Sequence, residues 1–75
     1  MLDGRRFRLN IATVAVDTTG AHRTVVWIPA GDTIEVIGRS SEDQRMVDVT
    51  WKDLRVVMFA VDILLRGTEV RRAGA

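Results

Sequence analysis

Few residues in this 75-residue chain are of types that do chemistry: one histidine (His22), a carboxylate turn at Asp17-Thr18-Thr19-Gly20, a serine pair at Ser40-Ser41, and the acidic residues Glu42, Asp43 and Asp48. A carboxylate raised on an Asp-Thr-Gly loop can work with the same carboxylate of a second subunit, the two sharing one proton. Here an additional threonine separates Thr18 from Gly20, which alters that loop, and the four residues are equally good chemistry for a hairpin turn. His22 has no cysteine beside it, and Ser40 and Ser41 lack the glycines of a nucleophile elbow. Nucleophilic catalysis needs three converging groups, and no such set is visible. With no cysteine, thiolate chemistry is excluded, and the single histidine cannot make a zinc site alone. Glu42, Asp43 and Asp48 lack the regular ligand spacing and central glycine of a calcium loop. Gly38 to Asp43 has one glycine and an acidic pair, the opposite of a phosphate loop. The expectation is a chain with no catalytic residue, no metal and no cofactor.

What remains are surfaces. Arginines gather at both ends: Arg5, Arg6 and Arg8 at the start, Arg66, Arg71 and Arg72 at the finish. Termini of small domains often lie close together, so these side chains can pool into one patch able to touch nucleic-acid phosphates. Against that, eleven basic residues oppose ten acidic ones, for a net charge of +1. Tyrosine is absent, and Phe7, Trp27, Trp51 and Phe59 all lie in apolar-rich strands instead of forming a stacking platform. The second surface is apolar. Segments around Trp27 and around Val57 and Phe59 carry apolar residues on both alternations, while a small barrel has one interior. Their outer face is expected to meet a second copy or another protein.

The elements that would position these residues are short. Runs rich in Val, Ile, Thr and Trp alternate with turn residues every ~8–12 positions, the pattern of an all-β domain. In the first run, Arg6 to Val16, Phe7, Leu9 and Ile11 alternate with Arg6, Arg8 and Asn10. Past Ala12 the alternation slips, so a bulge or bend near Ala12–Thr13 is expected to return Val14 and Val16 to the core side. His22 to Ile28 follows, apolar at every position from Val25 and expected to be covered on both faces. Pro29-Ala30-Gly31-Asp32 ends it as a turn. Thr33 to Gly38 and Met46 to Lys52 read as half-buried strands on either side of the polar loop Arg39 to Arg45.

Leu54 to Arg66 supports two readings. As a helix, Leu54, Val57, Met58, Val61, Leu64 and Leu65 form one stripe, with Asp53 as N-cap and Gly67 at the end. As a strand, Arg55 to Phe59 returns along Val47–Trp51 through a tight turn at Lys52–Asp53, and a single helical turn precedes a last strand, Thr68 to Arg71. The β-branched pair Val56–Val57 and the apolar outer positions Val56, Phe59 and Ile63 favour the strand.

The order of these parts resembles a small SH3-like barrel. A long first strand leads to the Pro29–Val36 turn segment, then a polar loop, a Val47-Asp48-Val49-Thr50-Trp51 hairpin arm, its return, and a helical turn at Ala60 to Leu65. The resemblance is to an architecture, and to short bacterial proteins of this shape, and implies no activity. One enzyme family on this scaffold, the plasmid-borne trimethoprim-resistant dihydrofolate reductases, forms pore-centred tetramers with a Val-Gln-Ile-Tyr strand. The matching place here is Val56-Val57-Met58-Phe59, without the glutamine or the tyrosine hydroxyl, so a pore-type enzyme would lack its polar groups.

One all-β domain over residues 1–75 is therefore expected, an SH3-like barrel of five to six strands with one short helical turn. The alternative is a four-stranded sheet with a helix over 54–66. At this length only about 60% of the chain's surface is buried on folding, which favours a partner subunit. Met1 to Arg8 has no apolar signal region, and the longest apolar run, Val56 to Val61, is far below the ~20 residues of a membrane span. No membrane partner and a cytoplasmic location are expected.

Overall fold

The computed structural model describes residues 2–71. The fold is all-β, with seven antiparallel strands and one short helix: β1 (Arg6–Leu9), β2 (Thr13–Asp17), β3 (Thr24–Ile28), β4 (Thr33–Arg39), β5 (Met46–Trp51), β6 (Leu54–Phe59), α1 (Ala60–Arg66) and β7 (Gly67–Val70). The strands form one sheet in the order β3-β2-β6-β5-β4-β1-β7. β2 and β1 hold the second and sixth places in that order, yet only Asn10 to Ala12 separate them. The four Cα steps from Leu9 to Thr13 reach at most about 14 Å. Four strand spacings in a flat sheet come to about 19 Å. The sheet must therefore roll. No ladder joins its edge strands β3 and β7 among the described residues, so the roll stays open.

The interior of the roll is filled by Phe7, Leu9, Ala15, Ile28, Ile34, Val36, Val47, Val49, Val56, Met58 and Ile63. Alternation assigns these residues directly in β4, β5 and β6. The first run behaves differently from its sequence pattern. It breaks into β1 and β2, which raises the strand count to seven, but the break does not change the alternation. Thr13 and Ala15 are buried inside, while Val14 and Val16 point outward and are half-buried. The expected return of Val14 and Val16 to the core does not occur. Two features allow it. The Thr13 hydroxyl donates to the Ile11 carbonyl at 2.8 Å, so a fully buried polar group is satisfied. The outward valines find apolar cross-strand partners, Trp27 for Val14 and both Val25 and Val57 for Val16.

Extended backbone continues through Leu54–Phe59 and helix begins only at Ala60. Val56 and Met58 face the core, and Val57, on the opposite face, is also buried. A strand packed on both faces accommodates β-branched residues better than a helix does. The hairpin from β5 turns at Lys52 and Asp53, with φ of 49° and 65°, the two left-handed positions of a type I′ turn. In α1, Asp62 in the first turn and Arg66 in the last oppose the helix dipole, and Ile63 anchors the helix to the core. Gly67 ends it by donating its N–H to the Ile63 carbonyl. A Cβ at Gly67 would sit 2.7 Å from that oxygen and 3.3 Å from the Phe7 Cβ, so the tight exit from α1 requires glycine.

Candidate interaction surface

Asp17, Ser40, Glu42 and Asp43 are engaged in local structure. Asp17 Oδ1 accepts from the Thr19 N–H at 2.9 Å and from its hydroxyl at 2.6 Å. The side-chain bond first, and the backbone bond second, hold its pKa below the usual carboxylate value. Its carboxylate thus closes the β2–β3 turn. Ser40 is buried, and its Oγ accepts from the Glu42 N–H at 3.2 Å within the β4–β5 loop. Glu42 pairs with Arg23 and joins that loop to the start of β3. Asp43 accepts from Arg45 through side chain and backbone, which lowers its pKa to about 2. His22 is exposed. Among the described residues no three of His, Asp and Glu gather as a metal site.

The outer face of the sheet divides into two halves. One begins at the cross-strand row Arg55–Thr50–Glu35–Arg6–Val70, running from β6 to β7. Arg8 stands beside it, opposite Thr33 on one side and Thr68 on the other. The other half is apolar. Its row is Asp48–Val57–Val16–Val25, from β5 to β3. Trp27 pairs with Val14 and Phe59 with Met46, and alternation carries Val14 and Phe59 to the same side of the Val16–Val57 pair.

Trp27, Val57 and Phe59 thus share one half of the face, but not one exposure. Trp27 is 63% exposed, Phe59 37% and Val57 only 5%. Val57 is part of the floor of a groove of about 300 Å³ whose walls include Arg23, Met46 and Phe59. Val25, exposed to the same 63% as Trp27, was not singled out from the sequence. Its signal was present in the run Val25–Ile28, but both faces of that run were expected to be covered. They are not, because β3 is an edge strand whose one ladder is with β2.

The terminal arginines among the described residues take different partners. Arg6 and Arg8 point to the outer face. Arg5 instead clasps β7, its Nε donating to Glu69 Oε2 at 2.8 Å and its terminal nitrogen to Oε1 at 2.5 Å. That hydrogen bond is the main reason the Glu69 pKa falls and the Arg5 pKa rises. Arg71 is exposed just past β7, and Arg72 lies outside the described residues. Arg55, brought beside Thr50 by the β5–β6 hairpin, joins Arg6 and Arg8, and nothing in its sequence neighbourhood marked it.

A second hollow, about 670 Å³, lies between α1 and the N-terminal segment, with Leu2, Val47, Ala60 and Leu64 as apolar lining and Asp3 and Arg39 as opposite charges. No helix among the described residues is long and apolar enough to cross a membrane. Compared with protein-family models, curated proteins and solved structures, the chain matches none.

Proposed function

We propose that this chain is a non-enzymatic interaction module on an SH3-like scaffold, docking protein through the β3 edge and the apolar half of its outer face. Support for the scaffold comes from connectivity. The meander β4-β5-β6 is flanked by the two halves of one broken first strand, β1 on β4 and β2 on β6, with a short helix before the last strand. One observation carries the docking role. Trp27 and Val25, each 63% exposed, stand together on an open sheet edge of a chain too small to leave such apolar surface without consequence.

Native mass spectrometry of the protein isolated from its own host tests this. The expected spectrum shows either more than one copy or a co-purifying protein, and a Trp27→Glu variant reduces it to the single chain. A bare single chain in both cases ends the proposal. A second reading, sequence-independent nucleic-acid binding, is favoured by the common face of Arg6, Arg8 and Arg55. It requires a gel shift at low salt that fades as salt is added.

A further inference from the structure

The open edge at β3 has properties that select its occupant, and this inference rests on the docking role proposed above. Two edges end the sheet, and both expose backbone N–H and C=O groups able to pair with another strand. β7 is guarded: Glu69 stands opposite Phe7, on the core-facing alternation, and its charge is held there by Arg5. Within β3 there is no such charge, and the Arg23 that precedes it is paired with Glu42. Its five residues, Thr24-Val25-Val26-Trp27-Ile28, include no charge and no proline.

Pairing two such strands antiparallel about a two-fold axis at Val26 sets Thr24 opposite Ile28, Val25 opposite Trp27, and Val26 opposite its own copy. Every residue of the strand is then used. Each Trp27 ring lies across a β-branched side chain on the outer face, and the arrangement occurs twice, as an isologous contact requires. On the inner alternation, half-buried Val26 meets Val26 beside the fully buried Ile28. No charge faces a like charge in this register. A second copy supplies the backbone ladder together with two Trp27–Val25 pairs on the outer face and a Val26–Val26 pair on the inner one. We propose that β3 pairs with β3 of a second copy of this chain in this register, joining two sheets into one.

The strand is about 17 Å long and buries on the order of 500 Å² per copy, less than the ~800 Å² of a standard stable interface. An interface this small falls in the transient class, so the dimer is expected to dissociate on dilution.

The absence of cysteine makes the register directly measurable. Directly opposed residues have Cα atoms about 4.5–5.5 Å apart, inside the disulfide range. Thr24 and its copy, four residues out of step, lie about 14 Å apart. Under mild oxidation of folded protein, Val26→Cys is expected to cross-link at least about tenfold faster than Thr24→Cys. In parallel, sedimentation across a hundredfold dilution should take the unmodified chain from dimer to monomer. Val25→Lys, at an exposed position that tolerates the change, should stay monomeric throughout, so the result does not depend on the Val26 variant folding.

A dimer in which Thr24→Cys cross-links as fast as Val26→Cys overturns the register. A monomer at every concentration overturns the second copy as occupant. In that case, a different protein co-purifying through Trp27 leaves the docking role standing, while a bare chain removes both.

Discussion

The two edges of this sheet present the same backbone hazard and answer it with opposite side chains. β7 is four residues long, bears Glu69, lies between Arg66 and Arg71, and is clamped by Arg5. β3 is uncharged and exposes Val25 and Trp27. Charge on an edge blunts pairing, whereas bare apolar residues invite it. One sheet thus has one edge that bears charge and one that bears none. The same polarity runs across the outer face, from the Arg6–Arg8–Arg55 half to the half that ends at Trp27.

The comparison breaks most severely if the β7 side loses its anchor. Ile63 is fully buried and seats α1 immediately before β7. Truncating it, as Ile63→Ala, is expected to cost about 2–5 kcal/mol. A chain of this length has about 4–11 kcal/mol in total, so urea denaturation should show a sharply lowered midpoint. A midpoint unchanged within error would mean that α1 does not hold the closed edge.

Removing the guard without touching the core is a finer change. Glu69→Val leaves an apolar residue on the edge and frees Arg5 from its clasp. With both edges available, association should run past the dimer, seen by light scattering as species growing with concentration. If the variant keeps the unmodified chain's association behaviour, Glu69 is not what closes β7.

Acid weakens the guard more gently. Arg5 donates to the Glu69 carboxylate in the folded chain and, by that bond first, lowers its pKa from the ordinary 4.5. A depressed folded pKa means that the clasp contributes fully above the ordinary carboxylate range. It is lost as pH falls through the lower folded value. Both groups are exposed, so the effect on stability is small. Carboxyl NMR should place the Glu69 midpoint below its value in Arg5→Ala. Coincident titrations would show that the clasp does not form in solution.

How much of this was legible depends on the segment. β4 and β5 alternate cleanly, and spacing alone puts Ile34 and Val36, and Val47 and Val49, on one face, the one that is buried. The type I′ turn at Lys52–Asp53 lacks the usual glycine, yet the strands it joins were readable because Val56 and Val57 disfavour a helix. The first run misled, because hydrophobicity placed Val14 and Val16 inside. The interior there accepted Thr13 and Ala15 instead, since a local hydrogen bond satisfies the threonine and the outer face offers the valines apolar company. Arg55 and Val25 were missed for a related reason. Each matters through a neighbour on another strand, and sequence distance hides that neighbour.

By itself the sequence determined the chemical limits: no thiol, one histidine, balanced charge, and short β-branched runs that specify strands. Those follow from composition and from a two-residue period, which are local properties. Only the tertiary structure decided which strands end the sheet, that Arg5 guards one end while Trp27 and Val25 stand bare at the other, and that Val57 is buried between them. Strand order and exposure arise from pairings between residues distant along the chain. Alternation within a strand says which residues share a face, and is silent about what lies beside it.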